Sequence, residues 1–240
     1  PKPQTPNPKP RTLKISESFR LCIKSEAKII TKGMGDTDVN LNIMMVGDSS
    51  VGKTSLLMRF IDEKFEETSP TVGIDYMRKT IDIGGIKVLT RFWDSAGTEK
   101  FSSMAENTFK NTAGVVLVYD VTCRESFKQL RFWLYKIREK SRQNVKIMLI
   151  GNKIDLIEKR EVSSEEGSKY ASENELFFME CSAKSDEEGN VPEAFNVLVQ
   201  ESYKVQKDVH TQRMSIAKPI LPARTLSHAP SHESNGKKCC

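Results

Sequence analysis

The sequence lacks the features that mark membrane-spanning, secreted or disulfide-stabilised proteins. No apolar run approaches the roughly 18 residues of a membrane span, and no N-terminal stretch has the apolar core of a secretory signal. The five cysteines follow neither a disulfide framework nor zinc spacing, and the three histidines stand near the C-terminal end without metal-ligand spacing. These absences favour a protein of the reducing cytosol. We expect Cys123 and Cys181 to be ordinary buried thiols.

Positive charge is concentrated at the two ends of the chain. The net charge is +5. Residues 1–35 hold eight Lys and Arg against two Glu, a net +6, and residues 205–240 hold six against two acids, a net +4. The middle is therefore 5 − 6 − 4 = −5. Because the net positive charge lies in the arms, an anionic membrane surface is at least as suitable a partner as nucleic acid, which we do not expect to bind.

Composition divides the chain into three parts. Residues 1–35 are rich in Pro and basic residues and are predicted to be a disordered arm, residues 36–206 a single domain, and residues 207–240 a flexible tail. The chain begins with Pro, and Met34 stands just before the first predicted strand. We expect either that Met34 is the natural start or that residues 1–33 are an appended arm.

Strand and helix patterns alternate through the middle part. Apolar runs predict strands at 41–46, 114–120, 145–150 and 176–179, and a hairpin at 74–83 and 87–93 joined by Gly84-Gly85. Helical spacing predicts helices at 55–62, 124–140, 163–172 and 192–204. This alternation predicts an α/β fold with a mostly parallel sheet covered on both faces, and ligands at the carboxyl ends of its strands.

A phosphate-binding loop follows the first predicted strand. Residues 47–54 read G-D-S-S-V-G-K-T, which fits G-x-x-x-x-G-K-[ST] and stands between a strand and a helix. Glycines let backbone N–H groups surround a polyphosphate at a helix N-terminus. Lys53 is predicted to reach the β- and γ-phosphates, and the Thr54 hydroxyl to ligate Mg²⁺. The alternative is a plain glycine turn.

Two further segments supply candidate phosphate and metal contacts. Asp94 ends the second hairpin strand and is predicted to hold Mg²⁺, usually through water, while Gly97 offers its N–H to the γ-phosphate. Thr71, between the phosphate loop and Asp94, is placed to ligate Mg²⁺ when a γ-phosphate is present. A structural alternative for Thr71 is a loop residue that caps the next strand.

The motif N-K-x-D at Asn152–Asp155 indicates guanine. A carboxylate can accept hydrogen bonds from both N1–H and the 2-amino group of guanine, whereas adenine has no such donor pair. Lys153 can pack its stem over the base plane. Ser182-Ala183-Lys184 follows the next strand, where a backbone N–H can meet the guanine O6. An ordinary surface loop is the alternative for either segment.

Together these motifs resemble the small GTPases of the Ras superfamily, and Val72–Tyr76, Trp93-Asp94, Val118–Thr122 and the terminal Cys-Cys resemble its Rab branch. The resemblance covers residues 40 to about 206. It implies a P-loop G domain with a six-stranded sheet and five helices, GTP or GDP with Mg²⁺, and switch segments near 65–76 and 94–110. Phe65 matches the aromatic residue that packs on the guanine edge. The implied nucleotide-binding residues are Ser49, Ser50, Val51, Gly52, Lys53, Thr54, Ser55, Phe65, Thr71, Asp94, Gly97, Asn152, Lys153, Asp155, Ser182, Ala183 and Lys184.

One position departs from the pattern of that family. After Gly97 the family usually has Gln, which orients the attacking water, but here Thr98 follows. Threonine is too short to present a carbonyl and an amide as Gln does. With Lys53, Thr71 and Gly97 as the other catalytic residues, we therefore expect a GTPase with slow intrinsic hydrolysis. Neutral variation in a surface loop is the alternative.

The chain ends in Lys237-Lys238-Cys239-Cys240. The resemblance implies prenylation of Cys239 and Cys240, and two lipid chains are the number that gives stable anchoring. It further implies a monomeric switch in vesicular membrane traffic, in the cytosol and on the cytoplasmic face of an intracellular membrane. The implied partners are an exchange factor, a GTPase-activating protein, a GDP-dissociation inhibitor, a prenylation escort protein and GTP-form effectors.

Two other functions remain open from the sequence alone. The first is a GTP-bound binding module with vestigial hydrolysis, since the nucleotide-binding residues are intact while Thr98 replaces Gln. The second is a P-loop kinase or ATPase, against which the N-K-x-D motif argues because it favours guanine.

Overall fold

Six strands form one sheet in the order β2-β3-β1-β4-β5-β6. The computed structural model describes residues 39–66, 69, 71, 73–95, 108–186 and 190–216, with side chains to residue 208. The predicted arm of residues 1–35 and the part of the predicted tail beyond residue 216 lie outside this range. The strands are β1 (Val39–Val46), β2 (Ile74–Ile83), β3 (Ile86–Ser95), β4 (Gly114–Asp120), β5 (Lys146–Asn152) and β6 (Phe177–Glu180).

All neighbouring strands pair in parallel except β2 with β3. These two form the predicted hairpin, whose turn residues Gly84 and Gly85 both have positive φ, at 62° and 86°. A two-residue turn of that type matches the twist of the flanking strands, which explains why glycine stands at both positions. Strand β4 is buried along its whole length, because helices cover both faces of the sheet.

The helices that lie wholly within the described residues are α1 (Lys53–Asp62), α2 (Arg124–Lys128), α3 (Leu130–Lys140), α4 (Ser164–Glu173) and α5 (Asn190–Ile216), with a 3₁₀ turn at Ile157–Lys159. The helices pack on the two faces of the sheet, and each face has its own hydrophobic cluster. Helices α1 and α5 pack on one face of the sheet, where Phe60, Phe92 and Phe195 are in ring contact. Helices α2, α3 and α4 pack on the other face around Trp133 and Tyr119. The predicted fold class is confirmed.

Two helices differ from the sequence prediction by more than a shift of one or two residues at an end. The predicted helix 124–140 is interrupted at Gln129, which keeps helical dihedral angles (φ −69°, ψ −13°), so no turn residue announces the break. Helix α5 continues to Ile216 rather than ending near residue 204, so the predicted start of the tail at residue 207 falls within this helix. Within the described part of the chain, we find no helix with the length and apolar character to cross a membrane.

Candidate nucleotide site

A cavity of about 510 Å³ opens at the carboxyl ends of the parallel strands. Such a volume suits a small-molecule ligand. The predicted phosphate loop lies between β1 and α1, Asp94 stands one residue before the end of β3, and Asn152 ends β5. Because parallel strands end at one edge of the sheet, segments that are distant in sequence meet there.

The phosphate loop leaves the first turn of α1 without a side-chain cap. Gly52 occupies the N-cap in the left-handed region, at φ 93°, and forms no side-chain cap bond to that turn. A Cβ at Gly52 would lie 2.3 Å from the Asn152 amide nitrogen, and one at Gly47 would lie 2.3 Å from the Val118 carbonyl oxygen. The glycines thus permit a close backbone approach, and the open helix N-terminus suits an anion.

Lys53 is almost buried beneath this loop, with 5% of its surface exposed. Its ammonium donates to the carbonyl oxygens of Gly47 at 2.9 Å and Asp48 at 2.7 Å. Burial lowers the Lys53 pKa to about 8, against the opposing pull of the Asp94 and Asp48 carboxylates. A phosphate anion would supply the charge that this buried ammonium lacks.

Three candidate metal ligands meet beside Lys53. The Thr54 hydroxyl donates to Asp94 Oδ2 at 2.6 Å, and the Thr71 hydroxyl donates to the same oxygen at 3.2 Å. The two hydroxyl oxygens are 2.9 Å apart. Ligands at about 2.0–2.1 Å from an octahedral Mg²⁺ are about 2.9 Å from one another, so this oxygen set fits that ion.

The environment of Asp94 supports the same assignment. Its carboxylate is buried, and Oδ1 has no hydrogen-bond partner among the described residues. Burial raises the Asp94 pKa, while hydrogen bonds from Thr54 and Thr71 and the nearby Lys53 charge oppose that rise. A buried acceptor without a donor is costly, and a bound cation or its water would satisfy it.

Asn152 connects the phosphate loop to the segment after β6. Its amide nitrogen donates to the Val51 carbonyl at 2.9 Å, and its side-chain oxygen accepts from the Ala183 N–H at 3.2 Å. Both bonds are buried. A guanine O6 that binds at Ala183 would share or replace the longer of these two bonds.

Lys153 and Asp155 lie on the cavity wall, each held by neighbours. The Lys153 ammonium donates to the Ser50 carbonyl at 2.8 Å and forms an ion pair with Asp120 at 2.6 Å. Asp155 Oδ1 accepts from the Ser182 hydroxyl at 2.6 Å. Since each carboxylate oxygen has two lone pairs, Asp155 retains acceptor capacity for a base.

Most predicted nucleotide-binding residues come together on the cavity wall. Those that line it are Ser49, Ser50, Gly52, Lys53, Thr54, Ser55, Phe65, Thr71, Asn152, Lys153, Asp155, Ala183 and Lys184. The predicted residues Val51, Asp94 and Ser182 are buried and do not line it. Gly97 and Thr98, like Cys239 and Cys240, lie outside the described residues.

Several residues at the site were not predicted. Ser69, Ser95 and Leu156 also line the cavity. Arg59 on α1 donates to the carbonyls of Ala183 at 2.8 Å and Lys184 at 3.0 Å, which ties the helix to that segment. Long-range contacts of this kind leave no local sequence signal.

Trp133 on α3 reaches the phosphate loop from the opposite face of the sheet. Its indole N–H donates to Asp48 Oδ1 at 2.6 Å, a contact that was not predicted. One prediction about a thiol is wrong. Cys123 is exposed, because it is the N-cap of the surface helix α2, whereas Cys181 is buried as expected.

Similarity to known proteins agrees with this geometry. A sequence model of the Ras family matches residues 42–204. The chain is 39% identical over 211 residues to the Ras-related protein Rab-26 of Rattus norvegicus, and the match covers 87% of this chain and 78% of that protein. The Rab-26 of Homo sapiens is 38% identical over 210 residues, with the same coverage.

Both of these relatives are Rab proteins, and the identity to each extends over most of this chain. The predicted resemblance to the Rab branch is therefore confirmed. The chain belongs to the Ras family of small GTPases, in its Rab branch.

Proposed function

We propose that this protein is a GTP/GDP switch in vesicular membrane traffic that binds guanine nucleotide with Mg²⁺ and hydrolyses GTP slowly. The observation that carries the proposal is the convergence of Thr54, Thr71 and Asp94 beside Lys53 at one end of the cavity, with Asp155 on the same cavity wall. Family membership supports a guanine-nucleotide ligand.

The phosphates would bind where the backbone N–H groups of residues 49–54 face the cavity. The Lys53 ammonium would neutralise charge on the β- and γ-phosphates, since its present partners are neutral carbonyls. Thr54, Thr71 and Asp94 would hold Mg²⁺, and the metal would supply charge neutralisation between the β- and γ-phosphate oxygens. Because Thr71 and the N–H of Gly97 would contact the γ-phosphate side, these two residues would distinguish GTP from GDP.

Hydrolysis would proceed by in-line attack of water on the γ-phosphate. Thr98 stands where the family usually has Gln, so the water would be oriented poorly and intrinsic turnover would be slow. Loss of one preorganised group typically costs about 10²-fold in rate. An activating protein could supply the missing group from outside. The alternative function is a GTP-bound binding module with vestigial hydrolysis.

Single-turnover hydrolysis by the full chain loaded with GTP tests this proposal, with a Thr98→Gln variant beside the wild type. We expect a slow wild-type rate and a variant about tenfold to a hundredfold faster. Equal and ordinary rates would contradict the assignment of Thr98. A slow wild-type rate that neither the substitution nor an activating protein raises would favour the binding module.

We further propose that the protein is attached to a membrane and binds regulators and effectors. Prenylation of Cys239 and Cys240 would anchor the protein to the cytoplasmic face of an intracellular membrane, and Lys237 and Lys238 would add attraction to anionic lipids. The Rab relatives support regulators and effectors as partners, which we propose to be the exchange factor, activating protein, dissociation inhibitor and escort protein named above. Mass spectrometry of the C-terminal peptide from the native protein tests the lipid, and an unmodified peptide would refute it.

A further inference from the structure

Asn152, Lys153 and Asp155 form what we call the base end of the cavity. A partly buried ion pair lies behind it. Asp120, the last residue of β4, places Oδ2 2.6 Å from the Lys153 ammonium. The side chain of Asp120 is 9% exposed and that of Lys153 is 32% exposed. Asp120 lies outside every sequence motif assigned to the nucleotide, so nothing described so far accounts for this charge.

Asp120 is itself fixed in place. Its second oxygen, Oδ1, accepts hydrogen bonds from the backbone N–H of Thr122 at 2.9 Å and from the Thr122 hydroxyl at 2.7 Å. These two bonds leave Oδ2 directed at Lys153. The carboxylate therefore has one orientation, which is the condition for positioning another group.

Lys153 connects three segments through a single ammonium. It follows β5 in the left-handed region, at φ 69°, and its Nζ contacts both Asp120 and the carbonyl of Ser50 in the phosphate loop. With its tip held at both contacts, Lys153 lines the cavity wall. A lysine without these anchors would occupy several rotamers. Packing its stem against a base would then cost conformational entropy.

We propose that Asp120 is a positioning residue that holds Lys153 across the base end of the cavity and thereby slows nucleotide release. This inference rests on the proposed role of Lys153 in covering the guanine base. Since the ion pair acts on the base end, it should slow the release of GDP and GTP equally.

The test is the release rate of fluorescently labelled GDP and of a labelled non-hydrolysable GTP analogue from the full chain, with Mg²⁺ and excess unlabelled nucleotide. Asp120→Asn keeps an oxygen acceptor for Thr122 and removes the charge. We expect release of both nucleotides to become about fivefold faster, which corresponds to loss of about 1 kcal/mol from a partly exposed charge pair. Unchanged release would overturn the inference.

Salt separates positioning by charge from a merely structural role. The Debye length falls to about 3 Å at 1 M salt, but a partly buried pair is screened less than an exposed one. The ratio of the Asp120→Asn rate to the wild-type rate should therefore fall with salt without reaching one. A ratio of the two rates that does not change with salt would overturn the proposed electrostatic hold. Glu180→Gln is the matched control, because it breaks the Arg160–Glu180 pair at 2.7 Å, which is similarly buried (27% and 11% exposed). Its release rates should equal the wild-type rates.

Two substitutions of Lys153 distinguish failure of this inference from failure of the proposed function. Lys153→Met keeps an apolar stem and removes the ammonium, so it should speed release about as much as Asp120→Asn. If the Asp120→Asn variant does not fold, Lys153→Met still tests the ion pair. If Lys153→Ala leaves release unchanged, the base-covering role itself fails. If Lys153→Ala speeds release while Lys153→Met does not, only the role of the ion pair fails.

A double variant completes the test. Residues that act as one unit are not additive, so Asp120→Asn with Lys153→Met should release nucleotide no faster than either single variant. Multiplying effects would show that Asp120 acts independently of Lys153 and would overturn the proposal.

Discussion

The two ends of the cavity are built in different ways. At the phosphate end, the buried Lys53 ammonium donates to neutral carbonyls and Asp94 Oδ1 has no partner among the described residues, so we expect a charged ligand to complete this end. At the base end, Asn152, Lys153 and Asp155 are already held by hydrogen bonds from within the protein. From this difference we expect the phosphate end to supply most of the affinity and the base end to supply the choice of base.

The largest effect should come from removal of the buried charge at the phosphate end. Lys53→Met should weaken both GDP and GTP binding by about a hundredfold, because a hydrogen bond to a charged group contributes about 1.5–3 kcal/mol. The preference for guanine over adenine should persist. Fluorescence titration measures both quantities. Lys169→Met, at a side chain that is 78% exposed on α4, is the control and should bind normally. If Lys53→Met also lowered the preference for guanine, the proposed division of roles between the two ends would be wrong.

The reverse effect should follow at the base end. Asp155→Ala removes the acceptor for guanine N1–H and the 2-amino group, so the guanine-over-adenine preference should fall by about a hundredfold. Affinity for inorganic triphosphate, which lacks a base, should not change. Competition titrations with GTP, ATP and triphosphate measure this. Loss of triphosphate binding would show that Asp155 also organises the phosphate end.

Asn152 joins the two ends, so its removal should affect both. Asn152→Ala removes the buried bonds to the Val51 carbonyl and the Ala183 N–H, at about 1–3 kcal/mol for each buried group that loses its bond. We expect the Tm to fall by roughly 5–15 °C, from about 2–4 °C per kcal/mol. Thermal unfolding checks this. Asn174→Ala removes a bond to Tyr170 that lies away from the cavity and should change the Tm much less. Equal shifts would contradict the bridging role.

The smallest effect is a proton taken up on binding. In the free protein the Lys53 pKa is about 8, so this group is charged below pH 8 and loses its proton as the pH rises through that value. Bound phosphate raises the Lys53 pKa, so binding restores the proton. From a pKa near 8, uptake should rise from about 0.2 proton at pH 7.5 to about 0.9 at pH 9. Calorimetry of GDP binding in two buffers of different ionisation enthalpy measures it. Equal uptake at both pH values would contradict the lowered pKa of Lys53.

The sequence predicted those features that follow from local pattern. Apolar runs located the strands, the Gly84-Gly85 pair located the hairpin, and the phosphate-loop and N-K-x-D motifs located most of the cavity wall. These predictions were correct because a motif that directly follows a strand is positioned by that strand in the sheet. The interruption at Gln129 was missed because that residue keeps helical angles and carries no breaker signal.

The contacts that brace the site could not be predicted in this way. Arg59 reaches residues 183 and 184, Trp133 reaches Asp48, and Asp120 reaches Lys153, and each contact joins different elements of the fold. The Arg59 and Trp133 contacts form because α1 and α3 pack on opposite faces of the sheet. A single sequence records the residue types but not these pairings.

The most direct test of the division between the two ends is the ratio of affinities for GTP and ATP in the full wild-type chain, measured by competition with Mg²⁺ present. A site that holds Asp155 ready for the guanine N1–H and 2-amino groups predicts a preference for GTP of about 10⁴-fold or more. Comparable affinities for GTP and ATP would contradict it, because the cavity would then be a phosphate site that does not read the base.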